Sequence, residues 1–435
     1  MDSLILENFR SFGGRHEVEL APLTVLVGEN SSGKSTFLAA TRIAWDIGAG
    51  PQAVNFNEDP FRLGAYEQIA TSRGAPIGRA KSFSIGQEIR SKRRGAASGE
   101  RIRVEACFVS NNSQPFLCQL SLDSGGYGIT IDSTPDESIG ATIVTPEGRF
   151  ELPKDDMIRR TGFAPSLRWL ALTVELQLHR GGALGDGQVQ VPESAIDTLR
   201  ELVASVRQRD DGRPHAFAPV RSRPQRTYDP ISDAPDPEGQ HVPMVLRQLL
   251  ADSKGKVDGL GRIVAEFGKE SGLFSDIYVH DLGKGSDPFQ IFVKSSGPRR
   301  NIIDVGYGVS QILPILVEVA TRPRGSIFLI QQPEVHLHPR AQAALATLFG
   351  RLVKERRCQL IIETHSDYFI DRLRMDVRDG KAIRPDDVTL IYFELGKTGS
   401  EISPISIDRR GNILDAPPSY RRFFLEEERR FFGGA

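Results

Sequence analysis

A glycine-rich loop near the amino terminus constrains the fold more than any other feature of this chain. Residues 23–36 read LTVLVGENSSGKST, in which Gly28, Gly33, Lys34 and Ser35 satisfy the pattern G-x-x-x-x-G-K-[ST]. A β-branched run precedes the loop, and a segment with apolar residues at helical spacing follows it. We therefore expect a strand, a phosphate-binding loop and a helix, in this order, within an α/β fold.

The chemistry of this loop suits a nucleotide. Its glycines let the main chain wrap closely around a phosphate, so that N–H groups and the helix N-terminus point at it. We expect Lys34 to reach the β- and γ-phosphates of ATP and the Ser35 hydroxyl to hold Mg²⁺. A chance glycine-rich turn is disfavoured, because both flanks match the motif. The predicted nucleotide-binding residues of the loop are Glu29, Asn30, Ser31, Ser32, Gly33, Lys34, Ser35 and Thr36.

Composition narrows the class of protein. The 435 residues allow one large domain or two to three smaller ones, and a formal net charge of −1 gives no global argument for nucleic-acid binding. The best local candidate is the basic run 90–94 with Arg101 and Arg103, for which a solvated hairpin edge is an equally good interpretation. No apolar run reaches membrane-spanning length and no signal pattern opens the chain, so we expect a cytoplasmic protein without membrane contact.

The pattern of apolar residues predicts three regions. Residues 1–150 hold a hairpin, the phosphate-loop strand and several short strands of an antiparallel lobe. Residues 151–300 read as a mixed helical and β insertion, with helical patterns at 193–209 and 242–250. Residues 301–435 read as a C-terminal ATPase lobe, because strands and helices alternate there as in a mostly parallel sheet flanked by helices. The strands of that lobe are predicted at 327–330, 359–364 and 388–393, and the helices at 310–321, 339–356 and 366–375.

Polar motifs lie at the ends of these predicted elements. The segment 304–311 reads DVGYGVSQ and runs into an apolar helix, for which we expect Ser310 to be the N-cap. Taken alone, this segment reads as an ordinary loop-to-helix turn. The strand 327–330 ends in Gln331 and Gln332, at a position where ATPases normally carry the acids that hold Mg²⁺ and position water.

Three histidines follow. His336 and His338 form a His-x-His pattern, but without further ligands nearby a turn that opens the helix at Pro339 is the better interpretation. His365 lies at the tip of another predicted strand, just before Ser366, which can cap a helix. This position, in a chain with a phosphate loop, favours a functional role for His365.

Taken together, these motifs and their order resemble an ABC-type ATPase of the RecF/SMC class. More narrowly, they resemble the stand-alone AAA family ATPases related to the overcoming-lysogenization-defect proteins. The resemblance is weakest over 160–215 and 251–300. The segments that carry it are NFRSF (8–12), GENSSGKST (28–36), FAPVRSRPQRTYDP (217–230), DVGYGVSQILPIL (304–316), PEVHLHP (333–339), ETHS (363–366) and GNILDAPPSYRRFF (411–424).

The resemblance implies a fold and a set of roles. The fold would be an ABC-type P-loop ATPase head with a mostly parallel sheet, an N-terminal antiparallel β lobe and a middle insertion. The loop 28–36 would be the Walker A motif, 327–332 the Walker B strand, the residues after Glu334 the D-loop and His365 the switch histidine. Arg10 matches an arginine that approaches the nucleotide phosphates in relatives.

The resemblance also implies a homodimer that forms around ATP. The signature segment 306–311 of one subunit would contact the γ-phosphate bound by the other, with Gly308, Ser310 and Gln311 as its candidate residues. Because this segment departs from LSGGQ, the parts played by Gly308 and Ser310 stay open.

The Walker B strand departs from the family. Relatives usually carry an acid at the position of Gln331, often followed by Gln or Glu at that of Gln332. Either Gln331 replaces a native glutamate and so traps bound ATP, or the chain is a naturally slow ATPase in which Glu334 partly substitutes. The predicted catalytic residues are Gln331, Gln332, Glu334 and His365, and the predicted Mg²⁺ ligands are Ser35 and Gln331.

Two functions of different kinds compete, together with a third that involves no catalysis. The favoured one is the sensor or scaffold ATPase of a bacterial anti-phage defence system, coupled to a separate effector such as a nuclease, because the sequence has no long heptad pattern and no D-x-D in 395–435. The second is a DNA repair or maintenance ATPase like RecF or an SMC head. The third is a non-hydrolysing clamp locked by ATP. The aromatic segment 420–432 reads as core or as a docking surface for the effector.

Overall fold

The computed structural model divides the chain into two compact units. Unit 1 comprises residues 1–20, 29–213 and 393–402, and unit 2 comprises residues 21–28, 214–392 and 403–435. The residues that the structure describes are 1–49, 54–74, 78–91, 99–135, 139–155, 192–207, 212–230, 234–252, 260–283 and 287–420, together with 422, 429 and 430.

Unit 1 is built on an eight-stranded antiparallel sheet with the order β11-β10-β9-β8-β7-β6-β1-β2. Alternation of apolar and polar residues explains its two faces: in β7, Ile102, Val104, Ala106 and Phe108 are buried while the residues between them are more exposed. The strands are β1 (Ser3–Phe9), β2 (Phe12–Glu19), β6 (Ser82–Arg90), β7 (Arg101–Asn111), β8 (Gln114–Ser124), β9 (Tyr127–Ser133), β10 (Ile139–Thr145) and β11 (Gly148–Asp155).

Helices and aromatic rings cover the sheet of unit 1. Helix α1 (Lys34–Ala49) packs against β6, and Gln87 of that strand donates a hydrogen bond to the carbonyl of Ala44. The ring of Phe393 contacts those of Phe12 and Phe37 edge-on, which ties the 393–402 segment into this unit. The smaller elements are β4 (Asn57–Glu58), β5 (Phe61–Arg62), α2 (Tyr66–Ile69) and α3 (Glu193–Arg207).

Unit 2 contains the second large sheet, with the order β12-β16-β17-β3-β18-β19-β20. Its central strands are largely apolar, as expected of strands buried on both faces: every residue of β16 is buried. The strands β12, β16, β17 and β3 pair in parallel. Their bounds are β3 (Leu23–Gly28), β12 (His215–Phe217), β16 (Ile327–Gln331), β17 (Gln359–Glu363), β18 (Val388–Leu395), β19 (Ser400–Ile407) and β20 (Ile413–Leu414), of which 393–402 count with unit 1.

The helices of unit 2 and a small antiparallel sheet complete its core. This core includes Phe328, Phe349 and Phe369, none of which is exposed. The helices are α4 (Val242–Asp252), α5 (Leu260–Ser271), α6 (Tyr307–Thr321), α7 (Pro339–Arg356) and α8 (Asp367–Asp379), and the small sheet consists of β13 (Asp276–Asp281), β14 (Phe289–Lys294) and β15 (Arg300–Asn301).

The predicted α/β fold class is confirmed, with a few differences in detail. Helix α6 begins at Tyr307 with Gly306 as its N-cap, so the prediction that Ser310 caps this helix is wrong. Ser310 lies inside the first turns, and its hydroxyl donates to the carbonyl of Tyr307 at 2.9 Å. The strand β11 and the helix α5 were not predicted, whereas α7 has its predicted bounds.

Two predictions concern residues that the structure does not describe. Most of the aromatic segment 420–432 and the range 156–191 lie outside the described residues. Among the helices in the described ranges, none combines the length and apolarity needed to cross a membrane.

The close pairing of β6 and β7 yields a stability prediction. A Cβ atom on Gly86 would lie 2.6 Å from the main-chain oxygen of Val104, whereas one on Gly128 in β9 would meet its nearest atoms at 3.6 Å. We expect G86A to destabilise the protein by about 1–3 kcal/mol, because the overpacking contact is with backbone that cannot rotate away. Thermal unfolding of G86A beside the control G128A measures this, and equal melting temperatures of the two variants would contradict it.

Candidate nucleotide-binding site

The phosphate loop has a main-chain conformation that only some residues adopt easily. The φ angles are 132° at Gly28, 63° at Ser31 and 104° at Gly33. A Cβ atom on Gly33 would lie 2.7 Å from the ring of Phe12 and 3.0 Å from the hydroxyl of Ser11, so glycine is required there for space as well as for conformation. The loop leads into α1, whose first turn carries no acidic side chain.

Hydrogen bonds inside the loop hold its lysine. The Lys34 ammonium donates to the carbonyl of Glu29 at 2.5 Å, and the Ser32 hydroxyl donates to the same oxygen at 2.7 Å. Lys34 is 3% exposed. A buried ammonium at the start of a helix is placed to attract an anion, and this agrees with the predicted role of Lys34.

Arg10 lies in the turn between β1 and β2 and is held by main-chain oxygens. Its guanidinium donates to the carbonyls of Leu63 at 3.3 Å and Gln68 at 3.4 Å. Burial lowers the pKa of Arg10 from its ordinary value. Carbonyl acceptors orient this cation without cancelling its charge, so Arg10 can attract a phosphate.

The tips of four parallel strands lie at one edge of the sheet in unit 2. The register pairs Gln331 of β16 with Glu363 of β17, and Glu363 with Leu26 of β3. On the other side of β16, Phe217 of β12 pairs with Ile330. The phosphate loop leaves this edge at Gly28, the last residue of β3. Ligands of open α/β sheets bind outside the carboxyl ends of the strands, which is where these tips lie.

The two glutamines at the tip of β16 have different environments. Gln331 is 7% exposed, and its side-chain Oε1 accepts no hydrogen bond from the described residues. Gln332 has a φ of 41°, and its main-chain N–H donates to the carbonyl of Glu363 at 2.8 Å. Gln331 therefore presents a buried acceptor at the strand tip, while the main chain of Gln332 makes the turn that follows.

Glu334 is the next acidic residue in the sequence after these glutamines, and its side chain lies beside the same strand tips. Its Oε1 accepts a hydrogen bond from the main-chain N–H of His365 at 2.7 Å. Burial raises the pKa of Glu334, although that hydrogen bond opposes the rise. The side chain of His365 is exposed, and α8 begins behind it with Ser366 as N-cap, whose hydroxyl accepts from the N–H of Phe369 at 3.1 Å.

Arg221 is a functional candidate that the motifs do not indicate by themselves. It follows β12 by four residues, is 3% exposed, and donates from Nη2 to the carbonyl of Gln331 at 3.2 Å. Burial lowers its pKa to about 10, against the opposing charge of Glu334. The arginine stands in the segment FAPVRSRP, but only the pairing of β12 with β16 reveals that it reaches the Walker B tip.

The signature segment packs closely against the D-loop. Gly308 is buried, and a Cβ atom there would lie 3.1 Å from the carbonyl of His336. Gln311 is buried too, and its Oε1 accepts from the N–H of Arg221 at 3.4 Å. Tyr307, which precedes both residues in the chain, is 52% exposed. A Cβ atom placed on the N-cap residue Gly306 would have no heavy atom of another residue within 4 Å. The exposed part of the segment is thus Gly306 and Tyr307. Ser310 is buried, and its hydroxyl bonds within the helix.

Comparison with known protein families agrees with this geometry. A model described as "AAA domain" matches residues 3–64, and one described as "AAA ATPase domain" matches residues 253–370. The first range contains the phosphate loop, and the second contains the signature segment, the Walker B strand and His365. The chain is thus similar to AAA ATPase domains over these two ranges. The ATPase class predicted from the motifs is thereby confirmed.

Three individual proteins are similar to this chain in sequence or in fold. An OLD nuclease of Thermus scotoductus is 30% identical over 93 residues, which span 20% of this chain and 18% of that nuclease. Among solved structures, an Smc head bound to the C-terminal winged-helix domain of ScpA has a TM-score of 0.45 at 14% identity, with 94% of this chain and 98% of that chain covered. The SMC head domain of Thermotoga maritima has a TM-score of 0.40 at 12% identity, with 93% and 99% covered.

Magnesium is implied by an ATPase of this kind, and the oxygens present fit it. The described residues contain no cluster of three or more His, Cys, Asp or Glu side chains suited to a metal. Mg²⁺ at nucleotide sites takes one or two protein ligands and completes its shell with phosphates and water. The buried Oε1 of Gln331 is one such oxygen in unit 2.

The structure gives little support to two other candidate sites. His338 caps α7 by accepting from the N–H of Arg340 at 3.3 Å, which agrees with a structural role for the His-x-His pattern. In the predicted basic patch, Arg101 and Arg103 form ion pairs with Glu88 of the adjacent strand β6 and with glutamates of β2, at 2.6 to 3.1 Å. Their charge is largely compensated, and residues 92–98 lie outside the described ones.

The buried carboxyl of Glu334 makes stability depend on pH. Because its pKa is raised in the folded protein, its contribution to stability is complete at low pH and is lost as the pH rises through that pKa. We expect E334Q, which stays neutral, to melt at a higher temperature than the unsubstituted chain at pH 7–8, with the difference shrinking toward about pH 4. The control is E201Q at the exposed Glu201, which should not change the profile. Parallel melting curves of E334Q and the unsubstituted chain at all pH values would contradict this.

Proposed function

We propose that this chain is an ABC-type ATPase that binds ATP with Mg²⁺ at the loop 28–36 and dimerises around it. The observation that carries the proposal is the row of parallel strand tips at one sheet edge, from which the phosphate loop departs at Gly28. We assign phosphate contacts to Lys34 and Arg10. When bound, Mg²⁺ would neutralise phosphate charge, and Ser35 with Gln331 would hold it.

Among residues 331–334, Glu334 is the one whose side chain can take a proton. Glutamine at 331 and 332 cannot be deprotonated near neutral pH, whereas Glu334 is a carboxyl whose pKa is raised by burial. The hydrogen bond from the N–H of His365 fixes one of its oxygens. We therefore propose slow hydrolysis in which Glu334 orients the attacking water, with the side chain of His365 facing the nucleotide.

The dimer is proposed from the exposed start of the signature helix. Gly306 provides no capping side chain, so the first N–H groups of α6 remain available to an anion. Two large apolar side chains, Ile303 (41%) and Tyr307 (52%), are exposed beside it. An exposed helix N-terminus with adjacent apolar residues suits contact with a nucleotide held by a second copy of the chain.

The cellular role that we propose is a sensor or scaffold ATPase in bacterial anti-phage defence, acting in the cytoplasm with a separate effector such as a nuclease. Its support is the resemblance to the overcoming-lysogenization-defect proteins together with the partial match to an OLD nuclease. The alternative of a DNA repair ATPase lost support when the described arginines of the basic patch proved to be paired. The alternative of an ATP-locked clamp is favoured by the two neutral residues Gln331 and Gln332.

Placing a carboxylate at the strand tip tests whether position 331 takes part in ATP hydrolysis. We expect Q331E to raise ATP turnover about tenfold to a thousandfold, because catalysis here depends on electrostatics and positioning. Steady-state phosphate release measures this. The control is K34A, which removes the charge-assisted contact to the phosphates and should show neither binding nor turnover. Equal phosphate release by Q331E and the unsubstituted chain would contradict the role of position 331.

A mixing experiment tests whether two chains share each site. We expect G306E to bind ATP but to stay monomeric, since Gly306 is exposed and a carboxylate there repels phosphate. K34A should also stay monomeric, because it does not bind ATP. Mixed together with ATP and Mg²⁺, the two variants should form a dimer with one intact site, which sedimentation velocity detects. A mixture that associates no better than either variant alone argues against a shared site.

A further inference from the structure

Arg221 is a buried cation whose hydrogen-bonding capacity is mostly unused. Its Nη2 donates to the carbonyl of Gln331 at 3.2 Å, whereas its Nε and Nη1 have no hydrogen-bond partner among the described residues. Buried polar groups are nearly always paired, and leaving a charged donor unpaired is costly. A fold that retains this arginine at 3% exposure therefore leaves two donors for an acceptor beyond the described residues, such as a ligand oxygen.

Among the described residues, no carboxylate accepts a hydrogen bond from Arg221. Glu334 is close enough to influence its charge, but burial still prevails and lowers the pKa of Arg221. The strand tip beside it carries Gln331 and Gln332, which are neutral. The remaining N–H groups of the guanidinium form a fork, the geometry that binds phosphate oxygens by two parallel hydrogen bonds.

The position of Arg221 is fixed from two sides. The strand β12 pairs in parallel with β16, so the residues after Phe217 continue over the same sheet edge as the Walker B tip. The main-chain N–H of Arg221 donates to Gln311 of the signature helix at 3.4 Å. This arginine thus joins the signature helix to the Walker B strand, and neither family match covers it.

We propose that Arg221 contacts the terminal phosphate of bound ATP and so makes the site prefer ATP over ADP. This rests on the proposed function, since it places the contact in the same nucleotide site. The competing role is structural: Arg221 would serve only to balance the charge of Glu334. The two roles differ in what they do to nucleotide preference, because only a contact with the terminal phosphate distinguishes ATP from ADP.

Calorimetric titration of the full chain with ATP and with ADP, each with Mg²⁺, tests the proposal. We expect R221Q to weaken ATP binding about tenfold or more while ADP binding changes by less than about twofold. The matched control is R223Q, two residues along the same segment, where the arginine is exposed. R223Q should keep both affinities. An unchanged ratio of ATP to ADP affinity in folded R221Q would overturn the proposal.

Two further variants cover the other outcomes. If R221Q does not fold, R221K retains the charge without the fork, and we expect its preference for ATP to fall several-fold; an unchanged preference would overturn the proposal. If Arg221 only balances Glu334, the double variant R221Q/E334Q would regain the ATP affinity lost in R221Q, which would also overturn it. An unsubstituted chain that binds neither nucleotide would instead refute the proposed function, and with it this contact.

Discussion

The parallel alignment of β12, β16, β17 and β3 is the constraint on which the site depends. Main-chain hydrogen bonds fix this alignment beyond the strands themselves: the N–H of Thr364 donates to Leu26 at 3.1 Å, and that of Gln332 donates to Glu363 at 2.8 Å. Because the strands are buried on both faces, slipping one of them by a residue would expose apolar side chains or bury polar ones. The strand tips therefore stay level, and the polar residues that follow them gather at one edge.

Two acids lie at this edge, Glu334 and Glu363, while the tip of β16 between them ends in neutral glutamines. Glu334 carries the one carboxyl contributed by residues 331–334, and the guanidinium of Arg221 lies near it. As the proposed ligand of Mg²⁺, a neutral amide at 331 would offer an oxygen without a counter-charge.

Much of the fold could be predicted from local patterns, and the exceptions have physical reasons. The helix α7 has its predicted bounds because Pro339 and the cap at His338 set its start, and a left-handed Arg357 ends it. The start of α6 was misplaced because a serine is the usual cap, yet here Gly306 adopts the extended cap conformation and the chain turns helical three residues before Ser310 is reached.

The site was predictable only where motifs are contiguous. The phosphate loop, Gln331 and His365 stand beside a strand that the sequence reveals, so their positions follow from strand ends. Arg221 could not be placed in this way, because its partner Gln331 is 110 residues away and β12 is only three residues long. Pairing of distant strands is a property of the folded sheet, and a three-residue strand gives too short a pattern for recognition.

The signature helix is anchored at both ends, which bears on how a nucleotide could be sensed. Near its start, Gln311 accepts from the N–H of Arg221; near its end, Glu318 is bonded to His241 and, at 2.6 Å, to Arg322. Burial opposes ionisation of Glu318, but those two hydrogen bonds outweigh it and lower its pKa.

Because α6 is also packed into the core of unit 2, we infer that it moves together with the Walker B strand rather than independently of it. A phosphate that binds Arg221 would then affect the position of α6 and of the Walker B strand together. Hydrolysis, by removing that phosphate, would release both.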